Sequence, residues 1–175
     1  MNAASARLLV SVGEQTVLIK IVGRANFDCS VSLKTLINEL HQRHYDRYLL
    51  DLSECLLMDS TFLGVLAGFG LKLASPGAAQ AGAAVELLNP NARISELLEN
   101  LGVAHLFKIV RCEPLPLEKM EPLPHATTNP TPHELTRICL DAHRTLMEIN
   151  PANIPKFKDV AQFLADDLKK LKTRS

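Results

Sequence analysis

The residues of this sequence best suited to do chemistry are Asp59, Ser60 and Thr61, a carboxylate followed by two hydroxyls inside the segment DLSECLLMDSTFLGVLAGF. The apolar stretch that follows predicts a helix over residues 60–74, which puts the Ser60 hydroxyl where backbone N–H groups gather and the helix dipole is positive. At such a place a serine most often serves as the N-cap. Other constellations are weaker. His41 and His44, three apart on a predicted helix, have no third ligand beside them, so they read as a solvated helix face and not as a metal site. Gly64, Gly68 and Gly70 lack the lysine of a phosphate loop and read as a packing surface. No Ser-His-Asp or Cys-His order is legible, and Asp166 and Asp167 adjoin Lys169 and Lys170 as surface charge. Cys29, Cys55, Cys112 and Cys139 form no C-x-x-C pair and read as reduced, mostly buried thiols. No catalytic residue, cofactor or metal is expected.

The elements that must position Asp59 and Ser60 follow from periodicity. Arg7 to Val12 and Thr16 to Val22 are apolar and β-branched on either side of Gly13, Glu14 and Gln15, which predicts a hairpin. From Ser30 to Tyr45, Leu33, Leu36, Ile37 and Leu40 recur at helical spacing, with Ser30 or Ser32 as the expected cap. Tyr48, Leu49, Leu50 and Leu52 make a run suited to a central strand covered on both faces. The glycines of the 60–74 helix lower its propensity, so it must be closely packed and largely buried. After a turn at Pro76 and Gly77 come a strand at Ala83 to Leu88, a helix at Asn91 to Leu101 and a last strand at Leu106 to Val110. Crossover helices alternating with strands predict an α/β fold, a mixed but mostly parallel sheet of four to five strands with right-handed connections.

Charge excludes some functions. Nineteen Lys and Arg balance nineteen Asp and Glu, with ten of each sign in residues 1–112 and nine of each in 113–175, so no region attracts a polyanion by bulk charge. Only 5% of residues are aromatic and none is Trp, which removes the stacking platform of single-strand binders. Nucleic acid is not an expected partner. The apolar run Phe62 to Leu71 is far short of a membrane span, which needs roughly 18–20 residues, and no secretory signal is visible, so neither membrane insertion nor export is expected and the location is read as cytoplasmic.

Residues 113–130 hold five of the ten prolines and read as a linker that continues neither sheet nor helix. Beyond it Thr131, Pro132 and Glu134 spell a capping box with proline at the first helical position. Leu135, Ile138, Cys139, Ala142, Leu146 and Ile149 then give one apolar stripe, and Phe157, Val160, Ala161, Leu164, Leu168 and Leu171 give a second after the NPANIP turn. Two such helices pack as a hairpin or against a second copy, and the tail is expected to support self-association or a further partner contact. The division is thus 1–112, 113–130 and 131–175.

The segment around Ser60 resembles the STAS family, the anti-sigma factor antagonists of bacteria. Asp59, Ser60, Thr61, Leu63, Gly64 and Val65 match its Asp-Ser-Ser/Thr, small residue, Leu-Gly-Val pattern, and GAAVELLNPNARISELLENLGVAHLFKI is similar to its strand, Asn-containing turn, helix and final Leu-Phe strand. The resemblance covers residues 7–111. It implies that Ser60, with Thr61 as alternate, is phosphorylated by a partner that is both anti-sigma factor and serine kinase of the histidine-kinase-like ATPase type. It also implies that Asp28, Asp59, Thr61, Phe62 and Leu63 meet that partner. A phosphate of roughly −1.5 to −2 charge beside Asp59 would repel a docked protein without melting the helix. Two departures stand out. Phe62 occupies a position usually small in the family and reads either as an interface anchor or as a core residue. GRANFDCS replaces the usual Gly-Glu-Leu-Asp loop, with Gly23 and Asp28 as the nearest equivalents. A scaffold or transport-accessory subunit of the same fold, with Ser60 unmodified, is the alternative.

Overall fold

The computed structural model describes residues 6–74, 85–114, 120–122 and 130–173. The first two strands, β1 (Arg7–Val12) and β2 (Thr16–Ala25), pair antiparallel from Arg7 opposite Val22 to Val12 opposite Val17. Then follow α1 (Phe27–Gln42), β3 (Arg47–Met58), α2 (Ser60–Leu73), β4 (Val85–Leu88), α3 (Ala92–Asn100), a 3-10 turn at Ala104–Leu106 and β5 (Lys108–Val110). The pairs β2 with β3, β3 with β4, and β4 with β5 are parallel, as the intervening helices require. The sheet order is β5-β4-β3-β2-β1-β6, with β6 (Glu121–Pro122) antiparallel to β1. Interior to that order, β3 buries Tyr48, Leu50 and Leu52 completely, which accounts for its near-continuous apolar run.

Three local expectations are corrected. The proline-rich 113–130 stretch does enter the sheet: Pro122 stands opposite Leu9 at the outer edge, where a missing N–H breaks no interior ladder. A sixth strand results. Helix α1 starts at Phe27, and its cap is Asn26, whose side chain accepts from the Cys29 N–H at 3.4 Å; the Ser30 hydroxyl instead donates to the Phe27 carbonyl. Phe27 is 44% exposed and lies off the apolar stripe, so periodicity did not extend the helix to it. The last strand is also shorter than expected, because Ala104–Leu106 takes a 3-10 turn. The turn at Pro76 and Gly77, and the expected strand residues Ala83 and Ala84, lie outside the described residues.

The capping box opens α4 (Pro132–Ile149): the Thr131 hydroxyl accepts from the Glu134 N–H, and the Glu134 carboxylate from the Thr131 N–H. A 3-10 turn at Pro151–Asn153 leads into α5 (Ile154–Thr173), and the two helices fold back on one another. The stripe of α4 is spent within the chain, where Ala142 and Leu146 join the main core against α2. Contrary to a single-stripe helix, α4 also buries Leu140 and His143 on a second side. On α5, Val160 and Phe163 stay 43% and 70% exposed.

Lys20 and Asp51, opposite one another on β2 and β3, lie on the pleat face away from Ile19 and Leu50 and are almost fully buried. The ammonium is 2.8 Å from Glu54 and 3.5 Å from Asp51. Burial pulls the Lys20 pKa down, but the hydrogen bond and charge of Glu54 together with the charge of Asp51 outweigh it and leave the pKa raised.

Candidate functional site

Asp59 is the N-cap of α2, with extended backbone and a carboxylate that does two jobs. Its Oδ1 accepts the Phe62 N–H and its Oδ2 accepts the Phe27 N–H, both at 2.8 Å, so one side chain holds the starts of α1 and α2 together. Its own N–H donates to the Ala25 carbonyl at the end of β2. The expectation that Ser60 caps the helix is therefore corrected. Ser60 is the first residue inside the helix, half-buried, and its hydroxyl is not used to close the helix start.

The Ser60 hydroxyl instead meets the C-terminal hairpin. Its Oγ lies 2.9 Å from Nε2 of His143, while Nδ1 of His143 lies 2.6 Å from the Cys139 carbonyl. A carbonyl only accepts, so Nδ1 carries the proton; in the neutral ring Nε2 is then the acceptor and Ser60 the donor. Phe157 of α5 packs edge-on against the same imidazole, with ring centroids 5.1 Å apart. His143 was not singled out from sequence, because it stands 83 residues from Ser60. The signal that could have found it is its spacing of three from Leu140, which marks a second buried side of α4.

The other expected site residues divide. Asp28 is exposed in the first turn of α1, at the same end of the sheet as Asp59. Phe62 and Leu63 are fully buried and belong to the core, which corrects their assignment as partner contacts. Thr61 is only 6% exposed, so it is not open to a modifying enzyme in this state. Gly23 has φ of +101° beside a register shift in β2, a conformation that favours glycine.

The glycines of α2 serve close approach. A Cβ at Gly64 would lie 2.5 Å from the Ala142 carbonyl oxygen and 2.7 Å from the Ala142 Cβ, and one at Gly70 would press on Leu106 and Phe107. Beside this contact a cleft of about 240 Å³, lined among others by Lys34, Gly68, Lys72, Asp141 and Thr145, opens between α1, α2 and α4. Ser60 and His143 have the connectivity of a nucleophile and its base, but neither lines that cleft. Burial raises the thiols of Cys29 and Cys55 to about 11 and also raises Cys139; Cys112 is exposed. Among the described residues no cluster of His, Cys, Asp and Glu could hold a metal, and no helix is long and apolar enough to cross a membrane.

No protein-family model and no curated protein matches the chain. Solved structures do match. The anti-sigma factor antagonist SpoIIAA in its unphosphorylated form is 19% identical, with a TM-score of 0.51 over 60% of this chain and 88% of its own. TM1081 of Thermotoga maritima, assigned as an anti-sigma factor antagonist, is 20% identical with a TM-score of 0.50 over 59% of this chain and 84% of its own. The solution structure of TM1081 gives the same TM-score over 58% and 78%. The chain has the STAS fold of the anti-sigma factor antagonists.

Proposed function

We propose that this chain, built on the STAS fold, is an anti-sigma factor antagonist controlled by phosphorylation of Ser60. Its partner in this reading is an anti-sigma factor that is also a serine kinase of the histidine-kinase-like ATPase type. The observation that carries the reading is the division of labour at the start of α2. Asp59 caps the helix, so the Ser60 hydroxyl is not consumed in the cap and stands at a position whose backbone N–H groups and dipole favour an added anion. The Ser60 phosphate would sit beside Asp59 and add roughly −1.5 to −2 charge to a surface where Asp28 is already exposed. A coupling of about 1–3 kcal/mol would change partner affinity by roughly 5 to 150-fold. Dependence on ATP puts this exchange in the cytoplasm.

Tryptic mass spectrometry of the protein purified from its own cells tests the proposal. Phosphate is expected on Ser60 in the peptide running from Tyr48 to Lys72, and it should vanish in Ser60→Ala without moving to Thr61. Persistent absence of phosphate from that peptide would leave the scaffold reading, which the bond of Ser60 to His143 favours by giving the hydroxyl a structural partner.

A further inference from the structure

We propose that the α1 and α2 face beside Ser60 is a helix-accepting surface, that α4 is its occupant within the same chain, and that hairpin docking and modification of Ser60 exclude one another. The inference rests on the reading of Ser60 as the acceptor and adds its regulation. Three observations carry it. First, the receiving surface is cut for a helix: Gly64 lets the α4 backbone approach so closely that any side chain there would overlap Ala142, and Gly68 continues the channel toward Thr145. Second, the occupant reaches the acceptor itself, since His143 takes the Ser60 hydroxyl. A hydroxyl held 2.9 Å from a buried ring has no room for a phosphate, and a phosphorylated oxygen has no proton left to donate to Nε2. Third, the hairpin is held by the packing of Ala142 and Leu146 on α2 and, among the described residues, by few polar bonds to the rest of the chain. The buried Asn153 amide donates to the carbonyls of Leu101 and Leu146, and the Lys156 ammonium donates to the Asn100 carbonyl. The cleft beside α4 leaves part of the face unfilled, so a partner helix with bulkier side chains could bury more of it.

In the docked state the acceptor is covered; a kinase gains it only while the hairpin is lifted. Once phosphorylated, Ser60 keeps the hairpin away, and the exposed α2 stripe becomes available to another protein. Cys139 reports the position of the hairpin, because burial raises its pKa and slows its reaction, and both effects end when α4 lifts.

The test is alkylation by iodoacetamide, mapped cysteine by cysteine, of the wild-type chain, Ser60→Glu and Gly64→Leu. Glutamate is favoured in a first helical turn and leucine is a good helix former, so neither weakens α2 itself. In both variants the rate at Cys139 is expected to rise about tenfold relative to Cys112, the change that about 1.4 kcal/mol of lost docking would produce. Cys29 and Cys55 should stay protected. Wild-type rates at Cys139 in both variants would overturn the proposal, as would a rise confined to Gly64→Leu, which would show docking indifferent to charge on Ser60. Should a variant unmask Cys29 and Cys55 through unfolding, hydrogen exchange of the wild type decides: α4 amides opening well before those of β3 support a hairpin that lifts, and equal protection refutes it. No kinase enters these measurements, so their outcome is separate from whether Ser60 carries phosphate in cells.

Discussion

Phe62→Ala is expected to lower the unfolding free energy by about 3–5 kcal/mol, read as a lower urea midpoint with an unchanged slope. The ring is fully buried under the start of α2, and removing it leaves a cavity that the surrounding sheet cannot close. Total stability of a domain this size is about 5–15 kcal/mol, so the variant would be near the edge of folding. If Phe62 were instead an interface anchor, stability would move by less than about 0.5 kcal/mol and only partner binding would suffer. The two readings thus differ by several kcal/mol in one titration.

Lys20→Met is expected to cost a similar amount, about 3–5 kcal/mol, for the opposite reason. The methionine fits the apolar path of the lysine stem, yet the Asp51 carboxylate, in a site with no exposure, would lose the ammonium that compensates it. Glu54 would lose less, since its side chain is half-exposed and water can replace the partner. Replacing both members, Lys20→Met with Asp51→Leu, should recover most of the loss by urea unfolding; a double variant as unstable as the single one would refute this account of the pair. The sign of the pH dependence is fixed by the raised Lys20 pKa. Its contribution is fully present below the ordinary lysine value of 10.5 and fades only as the pH rises through the folded value above it.

Element order was legible because strand and helix periods differ and because turn and cap residues punctuate them: Gly13, Asn91 and the Thr131 to Glu134 box all sit where their chemistry requires. The start of α1 was not, since Asn26 and Phe27 precede the apolar stripe and the cap is visible only from backbone geometry. Glu121 and Pro122 were hidden by proline, whose exclusion from sheets does not apply at an outer edge. At the site, Asp59 and Ser60 could be placed at a helix start from residue type alone, but which of them caps it depends on side-chain direction, and the carboxylate prevailed. The contact of Ser60 with His143 could not be read from either segment. Periodicity gives a helix its stripe without naming the receiver, and the small residues Gly64 and Ala142, which fix the receiver, carry no signal until they face one another.

The central claim is that Ser60 is the regulated hydroxyl and that the C-terminal hairpin governs access to it. Its most direct test is the rate of phosphate incorporation at Ser60 when the full-length chain is incubated with ATP and an extract of the cells that make it, comparing wild type with Gly64→Leu and with Ser60→Ala as the blank. The account predicts phosphate on Ser60 in both of the first two, appearing several-fold faster when leucine holds α4 off α2. Equal rates, or phosphate only on other residues, would contradict it.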